Sequence, residues 1–255
     1  MKLAVCLAWI LLACAHPLRS QGYAWEGSPR EPLTIPRTYV GFEAQASYAM
    51  FTTQVSQVDP RLGITCCTYE DGSGLSYELG VVGERWVTSH MKISAGAGIS
   101  ILGATFIAPS APVPLSNGQI LTTEYVLDRS MTYASGFGSV SLRLGGSHVL
   151  ATVGARLLGY VNGTLMQRER IVSPDDVMFY GPQPTREMVI AQSFESDATS
   201  LVVYPFVQIS YDLPVAVGIV LQPSLNLALP LMSLSTSDPW HMRSVGLGLR
   251  LVKGL

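Results

Sequence analysis

The strongest constraint in this sequence is an alternation of apolar and polar residues with a period of two, repeated in eight separate stretches. Successive side chains of a β-strand point to opposite faces, so each stretch predicts a strand with one apolar and one polar face. A helix would show a period of 3.6 instead. The predicted strands cover about residues 39–51, 74–83, 90–103, 133–144, 148–160, 201–211, 215–227 and 241–252.

The connections between these stretches alternate between short and long. Short connections lie near 84–89, 145–147 and 212–214, and long ones at about 52–73, 104–132, 162–200 and 230–240. Short turns at one end and long loops at the other are typical of barrels in bacterial outer membranes. The sequence therefore predicts an all-β fold, an eight-stranded antiparallel up-and-down transmembrane β-barrel with short periplasmic turns and long extracellular loops.

Composition indicates which face of the predicted strands points outward. Charged residues make up 13% of the chain and apolar residues 48%, whereas about a quarter of an ordinary soluble domain is charged. The polar faces consist mainly of Gly, Ser, Thr, Gln and Asn, which suits a narrow interior, so we expect the apolar faces to contact lipid. The alternative is a soluble, lipocalin-like barrel with its apolar faces inward. A net charge of −2 argues against a nucleic-acid partner.

A few charged residues fall on the polar faces that the barrel would enclose. Eight strands leave an interior only wide enough for side chains, so these residues are expected to form ion pairs there. They either plug and rigidify the lumen or form a gate for protons or small ions. No motif indicates a catalytic, cofactor or metal site, and no cofactor is expected. The predicted lumen charges are Glu43, Glu78, Lys92, Arg143, Arg156 and Arg250.

Aromatic residues and prolines give two further expectations. Aromatic residues near strand ends are expected at the membrane interfaces, with ordinary packing as the alternative. Pro205 and Pro223 fall inside the sixth and seventh predicted strands, where each removes a hydrogen-bond donor, so bulges are expected there. The aromatic residues are Tyr39, Trp86, Tyr160, Tyr211 and Trp240.

The start of the chain predicts export. An apolar run follows Lys2 and gives way to small and polar residues, as in a secretory signal peptide. Cleavage is expected after Ser20, although a cut after Gly22 is also permitted. Alternatively, Cys14 closes a lipobox-like sequence and would become an acylated first residue. The predicted division is a signal peptide at 1–20, a periplasmic segment at 21–38 and the barrel at 39–252.

Removal of the signal leaves two adjacent cysteines, Cys66 and Cys67. They lack the spacing of a metal site. Oxidation is expected outside the cytoplasm, so a strained vicinal disulfide is one possibility. The alternatives are a link to another molecule or a structural feature of the exposed first loop.

Several stretches support a family resemblance. They are Cys66–Gly74, which leads into the second strand, Gln167–Pro174 in the third long loop, and Ser244–Leu251 in the last strand. The last stretch resembles the signal that barrel-assembly machinery reads, although it lacks a terminal aromatic residue. With these features, 39–251 resembles the outer-membrane β-barrel family of porin-like and OmpA/OmpX-type eight-stranded barrels. The resemblance implies the cell outer membrane as location, with outer-membrane lipid and the assembly machinery as partners.

The long loops give the leading functional hypothesis. Loops as long as 162–200 are usually functional or disordered, and this one concentrates charges of both signs. We therefore expect a structural or surface-interaction role through the extracellular loops, with the partner unknown. The alternative is a narrow porin-like channel for small solutes. A lipid-modifying enzyme is a third hypothesis, but His90, His148 and His241 have no evident serine and acid beside them, so no enzyme is predicted.

Overall fold

Antiparallel strands make up most of the chain that the computed structural model describes, namely residues 37–59, 64–144, 148–181, 183–194, 197–229, 231–236 and 240–255. The predicted signal peptide and most of the predicted periplasmic segment lie outside these residues. The described strands are β1 (Thr38–Asp59), β2 (Ile64–Trp86), β3 (Met91–Pro109), β4 (Val113–Pro114), β5 (Ile120–Arg143), β6 (Val149–Ser173), β7 (Glu187–Phe194), β8 (Leu201–Tyr211), β9 (Leu213–Ala216), β10 (Ile219–Ala228) and β11 (His241–Gly254). The same residues contain no helix that is both long and apolar enough to cross a membrane.

Eight of the described strands form a closed ring in the order β1, β2, β3, β5, β6, β8, β10 and β11. Closure is made by β1 and β11, which pair from Tyr39 opposite Gly254 to Thr52 opposite His241. The remaining strands β4, β7 and β9 pair with β5, β6 and β10. In a closed ring the backbone N–H and C=O groups of every spanning strand find hydrogen-bond partners, and no strand edge is left in lipid, as a transmembrane barrel requires. The predicted fold class is confirmed.

Side chains alternate around the ring as the period of two predicts. Along β1, Val40, Phe42 and Met50 are exposed on the outer surface, with Phe42 at 70% of its maximal exposure. The intervening Glu43 and Ser47 are buried inside. The same phase holds on β2, β3 and β11, so the apolar faces point outward. The soluble alternative, with these faces inward, is contradicted.

The first two predicted long loops, and much of the third, are wrong as loops. β1 continues past the apolar belt to Asp59, and β2 already begins at Ile64, so residues 52–73 are mostly strand. Likewise β3 extends to Pro109, and β6 reaches Ser173. Beyond the lipid the outer face need not be apolar, so the pattern loses its contrast while the ladder continues. The barrel wall therefore projects as paired strands above the membrane.

The expected proline bulges are also corrected. The β6–β8 register runs through Pro205 without a shift, and the β10–β11 register does the same through Pro223. Instead, β8 and β10 pair only from Ser210 opposite Ser224 to Phe206 opposite Ala228, between the two prolines. A proline lacks one backbone donor, which weakens pairing toward one neighbour only. The prolines thus coincide with the limits of one ladder and leave the others intact.

Most of the predicted interfacial aromatic residues point into the barrel. Tyr39 and Trp240 are buried, and Trp86 and Tyr160 pack against the buried core, whereas Tyr211 is exposed. Inward and outward positions alternate up to the end of a strand, so the place of a residue in that alternation decides which way its side chain points. The packing alternative therefore holds for four of the five residues.

Candidate functional site

The lower lumen, on the side of the short turns, is lined by six buried charged side chains. They come from five strands of the ring, each at an inward position of the alternation, and none is more than 6% exposed. These residues, which define the lower lumen, are Glu43 of β1, Glu78 and Glu84 of β2, Lys92 of β3, Arg156 of β6 and Arg250 of β11.

The six charges form one continuous series of ion pairs with alternating sign. Lys92 Nζ lies 2.8 Å from Glu84 Oε2, and Arg250 Nη1 lies 3.5 Å from Glu84 Oε1. Arg250 also pairs through Nε with Glu43. Arg156 Nη2 lies 3.2 Å from Glu43 Oε1, and its Nη1 contacts Glu78. The series thus reads Lys92, Glu84, Arg250, Glu43, Arg156, Glu78.

Neutral side chains add hydrogen bonds to two carboxylates of this series. Ser135 Oγ donates to Glu78 Oε1 at 3.1 Å, and Gln222 Nε2 donates to Glu84 Oε2 at 3.2 Å. Three cations balance three carboxylates, so the paired network has no net charge. Buried charges are costly unless they are paired and hydrogen-bonded, so the network is stable only as a complete set.

Aromatic rings hold the arginines from the side. The Arg156 guanidinium carbon lies 5.4 Å from the ring centres of both Phe137 and Phe206, within cation–π range. Both rings occupy space left by glycine. A Cβ on Gly96 would lie 2.4 Å from the Phe137 ring, and one on Gly154 would lie 2.6 Å from the Phe206 ring. These glycines therefore allow bulky groups inside a narrow barrel.

Arg143 lies at the periplasmic mouth of the lumen, outside the series. Its Nη2 is 3.4 Å from Asp212 Oδ2, and its guanidinium carbon is 4.4 Å from the Trp86 ring centre. These residues line an opening of about 130 Å³, which Glu84 and Gln222 also border. The charged series therefore lies directly beyond this opening.

The upper lumen, toward the extracellular end, is filled differently. Phe51, Phe106 and Trp240 pack against one another with ring centres 5.4 to 5.8 Å apart. The Arg129 guanidinium carbon lies 4.8 Å from the Trp240 ring centre. The other large buried members are Leu102, Leu127, Met131, Tyr133 and Leu158. An apolar plug therefore lies above the charged network.

A polar contact closes the apolar plug from above. Tyr69, on the extension of β2, is buried and hydrogen-bonded with Gln167 of β6. Burial raises the pKa of the Tyr69 phenol above its ordinary value, so the side chain stays neutral. Opposite walls of the extension are thus joined across the interior.

Beyond the membrane, the extensions of β3, β5 and β6 together with β7 form an extracellular sheet. Its outer face carries ion pairs across neighbouring strands. Thr105 Oγ1 donates to Asp128 Oδ1 at 2.7 Å, and Arg168 contacts Asp128 and lies 2.9 Å from Glu187 Oε2. Arg170 pairs with Glu124 in the same way. These partly exposed contacts connect four strands side by side.

The remaining residues singled out in the sequence do not join a site. The backbone of Cys66 and Cys67 lies within β2 rather than in a loop, and their side chains fall outside what the structure describes, so the disulfide stays a prediction. His90 Nδ1 is 2.8 Å from Ser89 Oγ, and the His148 ring lies 5.8 Å from the Tyr211 ring. His241 is exposed at the start of β11. Across the described ranges, no three His, Cys, Asp or Glu side chains are grouped to hold a metal.

Two charged residues of the lower end escaped sequence reasoning. Glu84 falls just past the predicted end of the second strand, although it continues the inward series of Glu78 and Val82, and one more residue of alternation includes it. Asp212 lies in a connection without alternation, so no signal marked it. The upper lumen was also missed, because several of its residues, such as Phe106 and Trp240, lie beyond the predicted strand ends.

The chain resembles known proteins in structure but not in sequence. No protein-family model matches the sequence, and no curated protein matches it. Structural similarity is found to Neisserial surface protein A, with 14% identity, a TM-score of 0.32 and coverage of 82% of this chain and 96% of that chain. Ail of Yersinia pestis is 6% identical, with a TM-score of 0.29 and coverage of 83% of this chain and 97% of that chain. The outer membrane protease OmpT from Escherichia coli is 8% identical, with a TM-score of 0.36 and coverage of 90% of this chain and 100% of that chain.

Because these TM-scores are low, the fold class of this chain rests on its own strand pairing. The ring closes through β1 and β11, the interior positions of the membrane segment are polar, and the outer positions are apolar. Those three properties define a barrel that crosses lipid. The chain is an eight-stranded antiparallel β-barrel of the outer-membrane type.

Proposed function

We propose that this outer-membrane barrel is a non-conducting anchor that presents its extracellular sheet for interaction at the cell surface. The observation that carries the proposal is the filling of the lumen at two successive levels, by the charged series in the lower lumen and by the apolar plug in the upper lumen. A small barrel whose interior is occupied by side chains has no continuous water path. The extracellular sheet is then the part available for a function.

The edge of that sheet is the surface best suited to a partner. β7 pairs with β6 on one side, and its other side has no strand partner among the described residues. Ile171 N donates to Arg186 O at 2.9 Å, so the backbone of Arg186 faces β6. Because backbone groups alternate in an antiparallel ladder, those of Glu187 and Val189 face the free edge. An extended peptide of a partner protein could add there as a further strand.

The first test addresses conduction. Purified protein in planar bilayers is expected to give no conductance steps, since both levels of the lumen are filled. Insertion is verified by the heat-dependent gel mobility of protein recovered from the bilayer lipid. Reproducible steps from the wild-type protein would contradict the anchor and support the narrow channel.

The second test addresses the sheet edge. Cells that display the protein are expected to attach to at least one of a panel of protein-coated surfaces. Val189→Pro removes a backbone donor at the free edge and should abolish this attachment, whereas Val189→Ala keeps the donor and should preserve it. Attachment to none of the surfaces, or equal attachment by both variants with equal surface amounts, would contradict the proposal.

A further inference from the structure

On the periplasmic half of the barrel, the described carboxylates point inward, whereas some of the cations are exposed. The described carboxylates of this half, Glu43, Glu78, Glu84 and Asp212, are all buried at inward positions. Three cations, Arg37, Arg85 and Lys253, are instead exposed, and Arg85 and Lys253 lie at outward positions of their strands. We name these three residues the basic rim. No acidic side chain among the described residues faces outward beside them.

Strand pairing places the basic rim on one side of the barrel. Arg85 of β2 lies opposite Thr38 of β1, and Lys253 of β11 lies opposite Val40 of β1. Arg37 directly precedes β1. Neighbouring strands are about 4.8 Å apart, so the rim spans roughly 10 Å across the seam where the first and last strands meet. The side chains stand at the lower end of the apolar belt, next to Val40.

The β9–β10 hairpin lies beside the basic rim, because Ile219 of β10 pairs with Lys253 of β11. It presents Val215 and Val217, and Val217 at its tip is 95% exposed. An apolar hairpin therefore borders the rim.

We propose that the basic rim binds the headgroup of an anionic phospholipid of the inner leaflet, at the seam between β11, β1 and β2. The proposal rests on the membrane placement stated above. Lys and Arg at the end of an apolar surface extend their charged groups to the headgroup level, where lipid phosphates lie. A phosphate held by Arg85 and Lys253 would bridge the two neighbours of β1 and so reinforce barrel closure.

The test uses the folded protein in nanodiscs of phosphatidylcholine with a minor fraction of phosphatidylglycerol, followed by native mass spectrometry of retained lipid. The wild type should retain phosphatidylglycerol in preference to phosphatidylcholine. A cation at a membrane surface contributes about 1 kcal/mol, so each neutralised rim residue should lower that preference about fivefold at low salt. The triple variant Arg37→Gln, Arg85→Gln, Lys253→Gln should show none, and Arg85→Lys should remain near the wild type.

Arg243→Gln is the matched control, because Arg243 is an exposed cation at the other end of β11. It should retain the wild-type preference. Equal retention by the wild type and the triple variant, or an equal loss in Arg243→Gln, would overturn the lipid site. Each preparation is also run unheated and heated on a gel. A protein that shows no heat-modifiable band in lipid would overturn the membrane placement itself, which is a separate result.

Discussion

The lower lumen holds six charged side chains in one paired series, whereas the upper lumen packs Phe51, Phe106 and Trp240 with aliphatic neighbours. Both levels fill a cylinder made by the same strands. In the lower lumen each charge needs its partners, since an unpaired buried ion is costly. In the upper lumen the filling depends on volume and shape, which tolerate similar apolar substitutes. The lumen of one barrel can therefore be closed by a charged set that tolerates few substitutions or by an apolar set that tolerates many.

The largest effect is expected at the centre of the charged series. Glu43→Ala leaves Arg156 and Arg250 without their shared carboxylate, and the free energy of unfolding should fall by about 4 kcal/mol. Urea unfolding in detergent micelles measures it. Ser47→Ala, a buried inward position of the same strand, is the control and should cost about 1 kcal/mol. A smaller loss for Glu43→Ala than for Ser47→Ala would contradict the role of the network.

The apolar plug of the upper lumen should tolerate apolar substitutes. Phe106→Ala removes a buried ring that contacts Phe51 and Trp240, and a loss of about 3 kcal/mol is expected. Phe106→Leu keeps much of the volume and should cost less than about 1.5 kcal/mol. Glu43→Gln keeps the shape of Glu43 yet removes its charge, and should be much costlier than Phe106→Leu. Similar losses of stability in Glu43→Gln and Phe106→Leu would show that the lower and upper lumen tolerate substitution equally.

A third prediction concerns the space that glycine leaves in the lower lumen. In Gly96→Ala the new Cβ would lie 2.4 Å from the Phe137 ring and 2.6 Å from Val81 O, so a loss of about 2 kcal/mol is expected from overpacking. Gly138→Ala is the matched control on the neighbouring strand, since no atom lies within 4 Å of its Cβ position. Unfolding in urea should therefore separate the two variants, and equal stability would show that the ring moves freely.

The smallest effect is expected on the extracellular sheet, whose ion pairs are exposed to water. Glu187→Gln removes the negative charge from the 2.9 Å ion pair with Arg168 and should cost about 0.5 kcal/mol at low salt. The difference should vanish near 1 M salt, because exposed pairs are screened. The loss in Glu43→Ala should persist at that salt concentration. A salt-independent loss for Glu187→Gln would show that this pair behaves like the buried ones.

Sequence reasoning reached the fold more completely than the site. The eight spanning strands and their outward faces follow from alternation, as along Val40, Phe42 and Glu43. Of the six predicted lumen charges, the structure places five in the ion-pair series and Arg143 at the mouth. Glu84, Phe106 and Trp240 were missed as lumen residues because they lie past the stretches with clear contrast. The inward direction of Tyr39 and Trp240 followed from phase, not from nearness to a strand end.

The alternation of residues is sufficient to predict how many strands cross the membrane and which side of each strand meets lipid. Both follow from a period of two, because moving a residue to the other face requires a shift of the whole strand. Which charges meet, how far the strands continue and what fills the upper lumen depend instead on contacts between distant parts of the chain. Glu43 contacts Arg156, 113 positions later in the chain, because closure of the ring brings distant strands to face one another across the lumen. Local pattern carries no information about such partners.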